Sequence, residues 1–359
     1  MNLTLMVKLH PTPEQTTALL ETMERFNSAC NFVAETAFRE RTANKIRLQK
    51  IVYYDIRERF SLPAQMAVRV ISKVAEAYKR DKSKQPVFRE HGAIVYDQRV
   101  LSWKGLDRVS ILTLRGRQVI PIVLGGYQKA RLDRIRGQAD LIYRDGTFYL
   151  AVVVEVPEPP PLQPDDWLGV DLGIVNIATD SDGDTYSGGH LNGLRKRHTK
   201  LRRRLQAKGT KSARRLLKKR RRKERRFAAD VNHRIAKRLV AKAQGTGRGI
   251  ALEDLKGIRE RITVQKAQRR TQHSWAFHQL RSFIEYKARL FGVPVVLVDP
   301  RNTSRTCPAC GLVDKRNRPT QASFQCVGCG FAGPADTIAA GNIARRAAVN
   351  QPHAAGDSA

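Results

Sequence analysis

Cys307-Pro-Ala-Cys310, followed after fifteen residues by Cys326-Val-Gly-Cys329, gathers four of the chain's five cysteines and leads directly into Pro334-Ala-Asp336-Thr-Ile-Ala-Ala-Gly-Asn-Ile343. Each C-x-x-C turn aims two sulfurs at one point, and Gly311 and Gly330 relax the backbone behind them, so the spacing predicts a four-thiolate, tetrahedral Zn²⁺ ribbon. A disulfide pair or two redox C-x-x-C motifs would use the same residues. The N-terminus does not resemble a signal peptide and no apolar run is long enough for a bilayer, so no membrane role is expected and a reducing, cytoplasmic location favours the metal. The ribbon is followed at once by an acid opening a helix of small residues, which reads as an insertion into a second site.

Composition bounds what that site acts on. The 359 residues hold 66 Lys and Arg against 33 Asp and Glu, a formal charge of +33, and a polyanion is the natural partner of such a field. With 41% hydrophobic residues the chain can bury cores and is no disordered basic tail. Residues 195–226 contain nineteen Lys or Arg and one acid, Glu224. Leu201, Leu205, Leu216 and Leu217 give this block weak helical periodicity, with Lys208-Gly-Thr-Lys-Ser212 as the break between two helices. A charge run is usually a solvated face. At this density self-repulsion favours neutralisation by phosphates, with Arg202, Arg203, Arg204, Arg214, Arg215 and Lys218 as candidate contacts and Arg305 as another outside the block.

Along the chain, Leu3, Leu5, Val7 and Leu9 alternate as in a half-buried strand. Thr12-Pro13-Glu14-Gln15 supplies a helix cap, and Leu19, Met23, Phe26, Cys30, Val33 and Ala37 form the apolar stripe that follows. The odd cysteine, Cys30, lies on that stripe as a buried thiol. A second amphipathic helix runs from about Pro63 through Met66, Val70, Val74 and Tyr78. Residues 94–156 turn to strands, with a hairpin at Asp145-Gly146. Pro157-Glu-Pro-Pro-Pro161 reads as a stiff linker. Beyond it, Trp167–Ile174, Asn176–Thr179, Gly249–Leu255 and Val293–Val298 are strands, and Val231–Ala243 and Trp275–Phe291 are helices, the grammar of an α/β sheet.

Asp171 and Glu253 each end an apolar strand, and Asp336 opens the helix after the ribbon. Singly they read as a turn residue, a surface carboxylate and a helix cap. Jointly, in a chain that attracts phosphates, they predict a hard-oxygen site for Mg²⁺; two ions about 4 Å apart would serve phosphodiester hydrolysis.

Gly169-Val-Asp171-Leu-Gly-Ile-Val-Asn176, Leu252-Glu253-Asp254-Leu255, Tyr286-Lys-Ala with Gly292, Val298-Asp-Pro-Arg-Asn-Thr303-Ser304-Arg-Thr-Cys307-Pro-Ala-Cys310-Gly, and Asp336 with Asn342-Ile343 closely resemble the TnpB (OrfB) proteins of bacterial insertion sequences, compact relatives of type V CRISPR effectors. The resemblance is strong over 165–345 and weaker through Phe26-Asn-Ser-Ala-Cys-Asn31 and Leu62-Pro-Ala-Gln65. It implies an α/β multidomain protein: a wedge β-barrel (1–10 and 92–156) with a helical recognition insertion (11–91), a Pro-rich linker (157–165), an RNase H-like RuvC nuclease domain (166–302 and 334–346) with a basic helical insertion (190–245), a zinc ribbon (303–333) and a disordered tail (347–359). It implies catalytic acids at Asp171, Glu253 and Asp336, and a guide RNA, transcribed near the gene, that directs cleavage of double-stranded DNA beside a short flanking motif. A monomer or dimer on one RNA, in the cytoplasm at the nucleoid, is the expected assembly. Where the family usually has Asn two residues after the third acid, this chain has Ile338. A nuclease-weak RNA-guided repressor, a miniature CRISPR effector and a plain zinc-ribbon binding protein are the alternatives. The first would normally lose an acid, the second differs mainly in genomic neighbourhood, and the third leaves the acids unexplained.

Overall fold

A computed structural model of the chain describes residues 1–255 and 277–349. The chain divides into unit 1, Met1–Pro157, and unit 2, Glu158–Ala359. Among the described residues no helix is long and apolar enough to cross a membrane.

Unit 1 is a seven-stranded antiparallel sheet with helices inserted after its first strand. The strands are β1 (Asn2–Leu9), β2 (Ile94–Tyr96), β3 (Leu101–Lys104), β4 (Arg108–Thr113), β5 (Gly116–Val123), β6 (Ile135–Arg144) and β7 (Thr147–Glu155), in the order β2-β6-β7-β1-β5-β4-β3. The sheet is nearly closed, and Tyr96 Oη on edge strand β2 donates to Leu112 O on β4 at 3.0 Å. The alternation of β1 is realised, with Leu5, Val7 and Leu9 buried. Helix α1 (Pro13–Arg39) begins with the Thr12–Gln15 capping box and buries Leu19, Met23, Phe26, Cys30 and Val33. Helix α3 (Ala64–Tyr78) packs beside it, and a single turn, α4 (Gly126–Lys129), follows β5. Between them lies α2 (Lys45–Phe60), a helix missing from the sequence reading. Its buried positions Leu48, Val52 and Ile56 recur every four residues, but exposed Ile46, Ile51 and Tyr54 blur the stripe, and its start is set by Asn44 accepting from Ile46 N and Arg47 N. A two-turn signal of that kind falls below what periodicity can resolve.

Unit 2 is a mixed five-stranded sheet. Strands β8 (Trp167–Asp171), β9 (Asn176–Asp180) and β10 (Thr185–Ser187) form an antiparallel meander, while β11 (Gly249–Glu253) and β12 (Val295–Val298) run parallel to β8, giving the order β10-β9-β8-β11-β12. The basic block is two helices, α5 (Gly189–Lys208) and α6 (Lys211–Gly245), broken where Gly209 takes a left-handed conformation and Thr210 caps α6. One sheet face, with Leu168, Val170, Ile250 and Leu252, is covered by Ile235, Leu239 and Val240 of α6 and by Leu280 and Ile284 of α7 (Phe277–Leu290). The other, with Trp167, Ala251 and Val298, is covered by Ile343 and Ala347 of α8 (Ala335–Val349). Gly169 permits this second contact, because a Cβ there would lie 2.0 Å from Ala340 O. Residues 347–349, expected in a disordered tail, continue α8 with Ala347 buried, and the rest of that expected tail lies outside the described residues. The predicted helix start at Trp275 lies outside the described residues. Glu158 pairs with Arg289, and Leu162 N donates to Gly292 O at 2.7 Å, so the Pro-rich segment is docked on unit 2 rather than standing free.

The turn Asp180-Ser-Asp-Gly-Asp184 is tied to α6 by Lys242, whose Nζ lies 2.7, 2.9 and 2.7 Å from carboxylate oxygens of Asp180, Asp182 and Asp184. Asp180 is fully buried, so removing the lysine strands its charge. Lys242→Ala should lower the urea unfolding stability of this region by roughly 3 kcal/mol, and Lys242→Met combined with Asp180→Asn should recover most of the loss. An unchanged unfolding midpoint in the single variant would show the tether to be inert.

Candidate functional site

Parallel pairing of β8 with β11 sets Val170 opposite Leu252, so Asp171 and Glu253 end their strands side by side. Asp336 joins them from the first turn of α8, where a helix N-terminus favours a carboxylate. Asp336 Oδ2 accepts from Asn176 Nδ2 at 3.1 Å, and Oδ1 accepts from Arg318 Nη2 at 2.8 Å. Glu253 Oε1 accepts from Thr303 Oγ1 at 2.5 Å. Thr303 is held in turn by Asn342 of α8, whose Nδ2 donates to Thr303 O at 2.9 Å and Thr306 O at 2.8 Å.

Asp171 lies close enough to Glu253 and Asp336 to feel both charges. Burial, reinforced by the charges of Glu253 and Asp336, pushes the Asp171 carboxyl up to about 7. Burial also raises Glu253, opposed by the Thr303 hydrogen bond and by the positive charges of Arg346 and Arg318. Among the described residues only the four cysteines bring three or more ligand atoms all within 4.8 Å of one another, so the carboxylates stand wider apart than a compact cage for a single ion. A half-buried set of carboxylates with Arg318 against one of them is a donor set suited to hard cations.

Arg318, Thr303 and Asn176 gained no role from residue patterns. Arg318 comes from the ribbon, and only folding brings it to an acid 18 residues further on. Ile338 is buried in the ribbon core with Cys307, Phe324, Cys326 and Ala335, where it packs rather than supports the acid; the amide bonded to Asp336 is that of Asn176.

In the ribbon, Cys307 Sγ lies 3.6 Å from Cys329 Sγ, and Cys310 Sγ lies 3.6 Å from Cys326 Sγ. Four sulfurs about 2.3 Å from one tetrahedral zinc would be separated by about 3.8 Å, so the thiols fit such a metal. Main-chain N–H groups of Cys329 and Gly328 hold the Cys326 thiol down to about 6, toward the thiolate a metal requires. Asn317, fully buried, donates to Arg305 O and Leu312 O and accepts from Val327 N, linking the two knuckles.

The predicted basic contacts are only partly gathered. A cleft of about 820 Å³ between α5 and α6 includes Arg202, Arg214 and Lys218, together with Arg195, Arg221 and Arg225. Arg203, Arg204 and Arg215 are exposed outside that lining, and Arg305 is exposed on the loop before Cys307. Glu224, the block's single acid, organises the cleft: its carboxylate meets Arg202 at 3.1 Å, His198 at 3.3 Å and Arg195 at 3.9 Å.

Comparison with known proteins adds a family context. Residues 151–256 match a family model described as a probable transposase of the OrfB type, and residues 277–343 match a Cas12f1-like TNB domain. A CRISPR-associated endodeoxyribonuclease Cas12f1 from Syntrophomonas palmitatica is 30% identical over 204 residues, covering 52% of this chain and 40% of that protein. A TnpB-like protein from Methanocaldococcus jannaschii is 27% identical over 263 residues, covering 67% of this chain and 91% of that one. The chain thus spans well under half of the Cas12f1 relative and nearly all of the TnpB-like one. Among solved structures, a Cas12f1 chain in complex with guide RNA and target DNA matches with a TM-score of 0.61 at 14% identity, covering 96% of this chain and 98% of that one. That likeness supports the α/β multidomain fold.

Two outcomes check this site. Cys307→Ser with Cys310→Ser should abolish the roughly one equivalent of tightly bound zinc seen by elemental analysis of the unaltered protein; a full complement in the double variant would refute the ribbon. For Asp171, a folded pKa raised above 3.8 to about 7 means that the unfolded chain loses its proton first. The contribution of Asp171 to stability should therefore be fully present below about pH 4, fall as pH rises toward 7, and level off beyond. In zinc-replete, magnesium-free buffer at pH 8, Asp171→Asn should unfold at a higher temperature than the unaltered protein and lose much of this pH dependence. Equal melting curves across pH would contradict the buried-cluster account.

Proposed function

Because the chain belongs to the TnpB (OrfB) family, we propose that it is an RNA-guided DNA endonuclease associated with an insertion sequence, cutting DNA by hydrolysis at Asp171, Glu253 and Asp336. The observation that carries this reading is the convergence of three half-buried carboxylates, from two strand ends and a helix start, inside a strongly basic chain. The strand order of unit 2, a three-stranded antiparallel meander continued by two parallel strands, supports an RNase H-like, RuvC-type nuclease domain. The nearly closed sheet of unit 1 supports the wedge β-barrel, with α1 to α3 as its recognition insertion. Zinc in the ribbon is structural.

Asp171, Glu253 and Asp336 would hold two Mg²⁺ ions, which when bound supply an activated water and stabilise the leaving 3′ oxygen. The remaining work falls to the chain's own groups. Thr303 fixes one oxygen of Glu253, and Asn176 fixes one of Asp336, so both carboxylates present defined lone pairs. Arg318 offers N–H donors beside Asp336, where the oxygens of a scissile phosphate would gather negative charge. The α5–α6 cleft holds phosphates, its guanidiniums kept in place by Glu224.

Sequence choice is assigned to a bound RNA. Base pairing selects the target strand, while the protein grips the heteroduplex by shape and backbone and reads only a short flanking duplex motif. The complex acts in the cytoplasm, at the nucleoid, as a monomer or dimer on one RNA. All three acids are present, which favours cleavage over repression.

Purified with the RNA transcribed beside its gene, the protein should cut a matching DNA next to the motif in Mg²⁺. Replacing the guide segment should redirect the cut, and mismatches nearest the motif should cost most. Asp171→Ala, Glu253→Ala or Asp336→Ala should abolish cutting while RNA and DNA binding stay within about twofold, since phosphate contacts come from other residues. Cutting that ignores the guide segment, or that survives removal of the RNA, would replace this reading with a protein-directed nuclease.

A further inference from the structure

We propose that a second cleft in unit 2, formed by Arg301, Arg345 and Arg346, binds a phosphate of the DNA strand being cut and so positions that strand beside Glu253. The proposal rests on the nuclease reading above for the identity of the strand. The cleft has a volume of about 450 Å³ and is lined by these three arginines with Asp299, Asn302 and Val349. It is distinct from the α5–α6 cleft, with which it shares no lining residue.

The charge of this cleft is fixed in place without being cancelled. Arg346 Nη1 donates to Asp299 O at 2.6 Å, and Arg345 Nη1 donates to Pro308 O at 2.9 Å. Both partners are main-chain carbonyls rather than carboxylates, and each bond uses one of the five N–H donors of a guanidinium. Arg301 is 85% exposed at the rim, its Nε 3.7 Å from Asp299 Oδ2. Among the described lining residues three guanidiniums face one carboxylate, which leaves the lining net positive. Oriented guanidiniums suit the planar, bidentate capture of a phosphate.

The cleft is joined to the acids by one short turn. Asp299 Oδ1 accepts from Arg301 N at 3.0 Å, and Asn302 takes a left-handed conformation with φ of 60°. The next residue, Thr303, then reaches Glu253. Arg346 and Asp299 are both close enough to bias the ionisation of Glu253, in opposite directions. A phosphate held here therefore lies one turn of chain from Thr303 and Glu253. The strand that must pass that cluster is the one being hydrolysed, not the guide RNA, whose backbone stays intact.

Two measurements test this, on the full chain with its guide RNA. First, cleavage of a matched substrate is compared between the unaltered protein, Arg301→Gln/Arg345→Gln and Arg301→Lys/Arg345→Lys. The Gln pair should raise KM about tenfold with kcat within twofold, and the Lys pair should recover most of the loss. Second, binding of a short single-stranded DNA is measured by anisotropy in an Asp171→Ala background, with and without the Gln pair. Affinity should fall about tenfold, and the logarithmic salt slope should shrink by about 1.4, roughly 0.7 for each lost single-strand contact. Guide-RNA affinity should stay within twofold, and Arg301→Gln alone, at the exposed rim, should show about a threefold loss. An unchanged salt slope and KM, a fall in kcat alone, or a loss confined to guide-RNA binding would each overturn the proposal. If the unaltered protein cuts nothing, the nuclease reading fails, while the binding arm still decides whether the cleft takes a DNA strand.

Discussion

Carboxylates half-withdrawn from water at the end of an apolar sheet are the constraint around which unit 2 is arranged. An ionised carboxylate is expensive to bury unless hydrogen bonds or cations compensate it, and Asp171 is raised to about 7 by that burial and by its acidic neighbours. Each remaining acid is met by a specific donor: Thr303 at Glu253, Asn176 and Arg318 at Asp336. These donors come from three separate stretches of chain, so the site cannot form until the sheet, α8 and the ribbon are all in place.

The close approach of α8 to β8 makes that assembly possible. Gly169 leaves room for the main chain at Ala340 and Ala344, and the small residues of α8 let the helix lie flat on the sheet. A Cβ at 169 would push α8 outward, taking Asp336 away from Asp171. Asn342 completes the arrangement by binding the loop that carries Thr303. One helix thus supplies an acid and, through Asn342 and Thr303, positions a second.

The ribbon belongs to this arrangement rather than hanging from it. Phe324, Cys307 and Cys326 bury Ile338 of α8, and Arg318 extends from the ribbon to Asp336. Metal at the four cysteines would therefore stiffen the element that delivers a cation to the acids. The basic helices follow the opposite logic: their charges stay mostly exposed, and only around Glu224 are they drawn into a defined cleft.

Several features were legible in the sequence because they depend on neighbours along the chain. The C-x-x-C pairs, the capping box at Thr12, the alternation of β1, the break at Gly209 and the acids ending apolar strands all follow from local spacing. Helix α2 was not legible because exposed apolar residues blur its buried stripe and its start depends on a single Asn44 side chain. Arg318, Thr303 and the Arg301, Arg345 and Arg346 cleft carry no local signature, since their partners lie as far as 50 residues away for Thr303 and Glu253. Sequence by itself determined which residue types could do metal and phosphate chemistry. Tertiary structure decided which of them meet, because pairing β8 with β11 and packing α8 on Gly169 set distances that no spacing along the chain encodes.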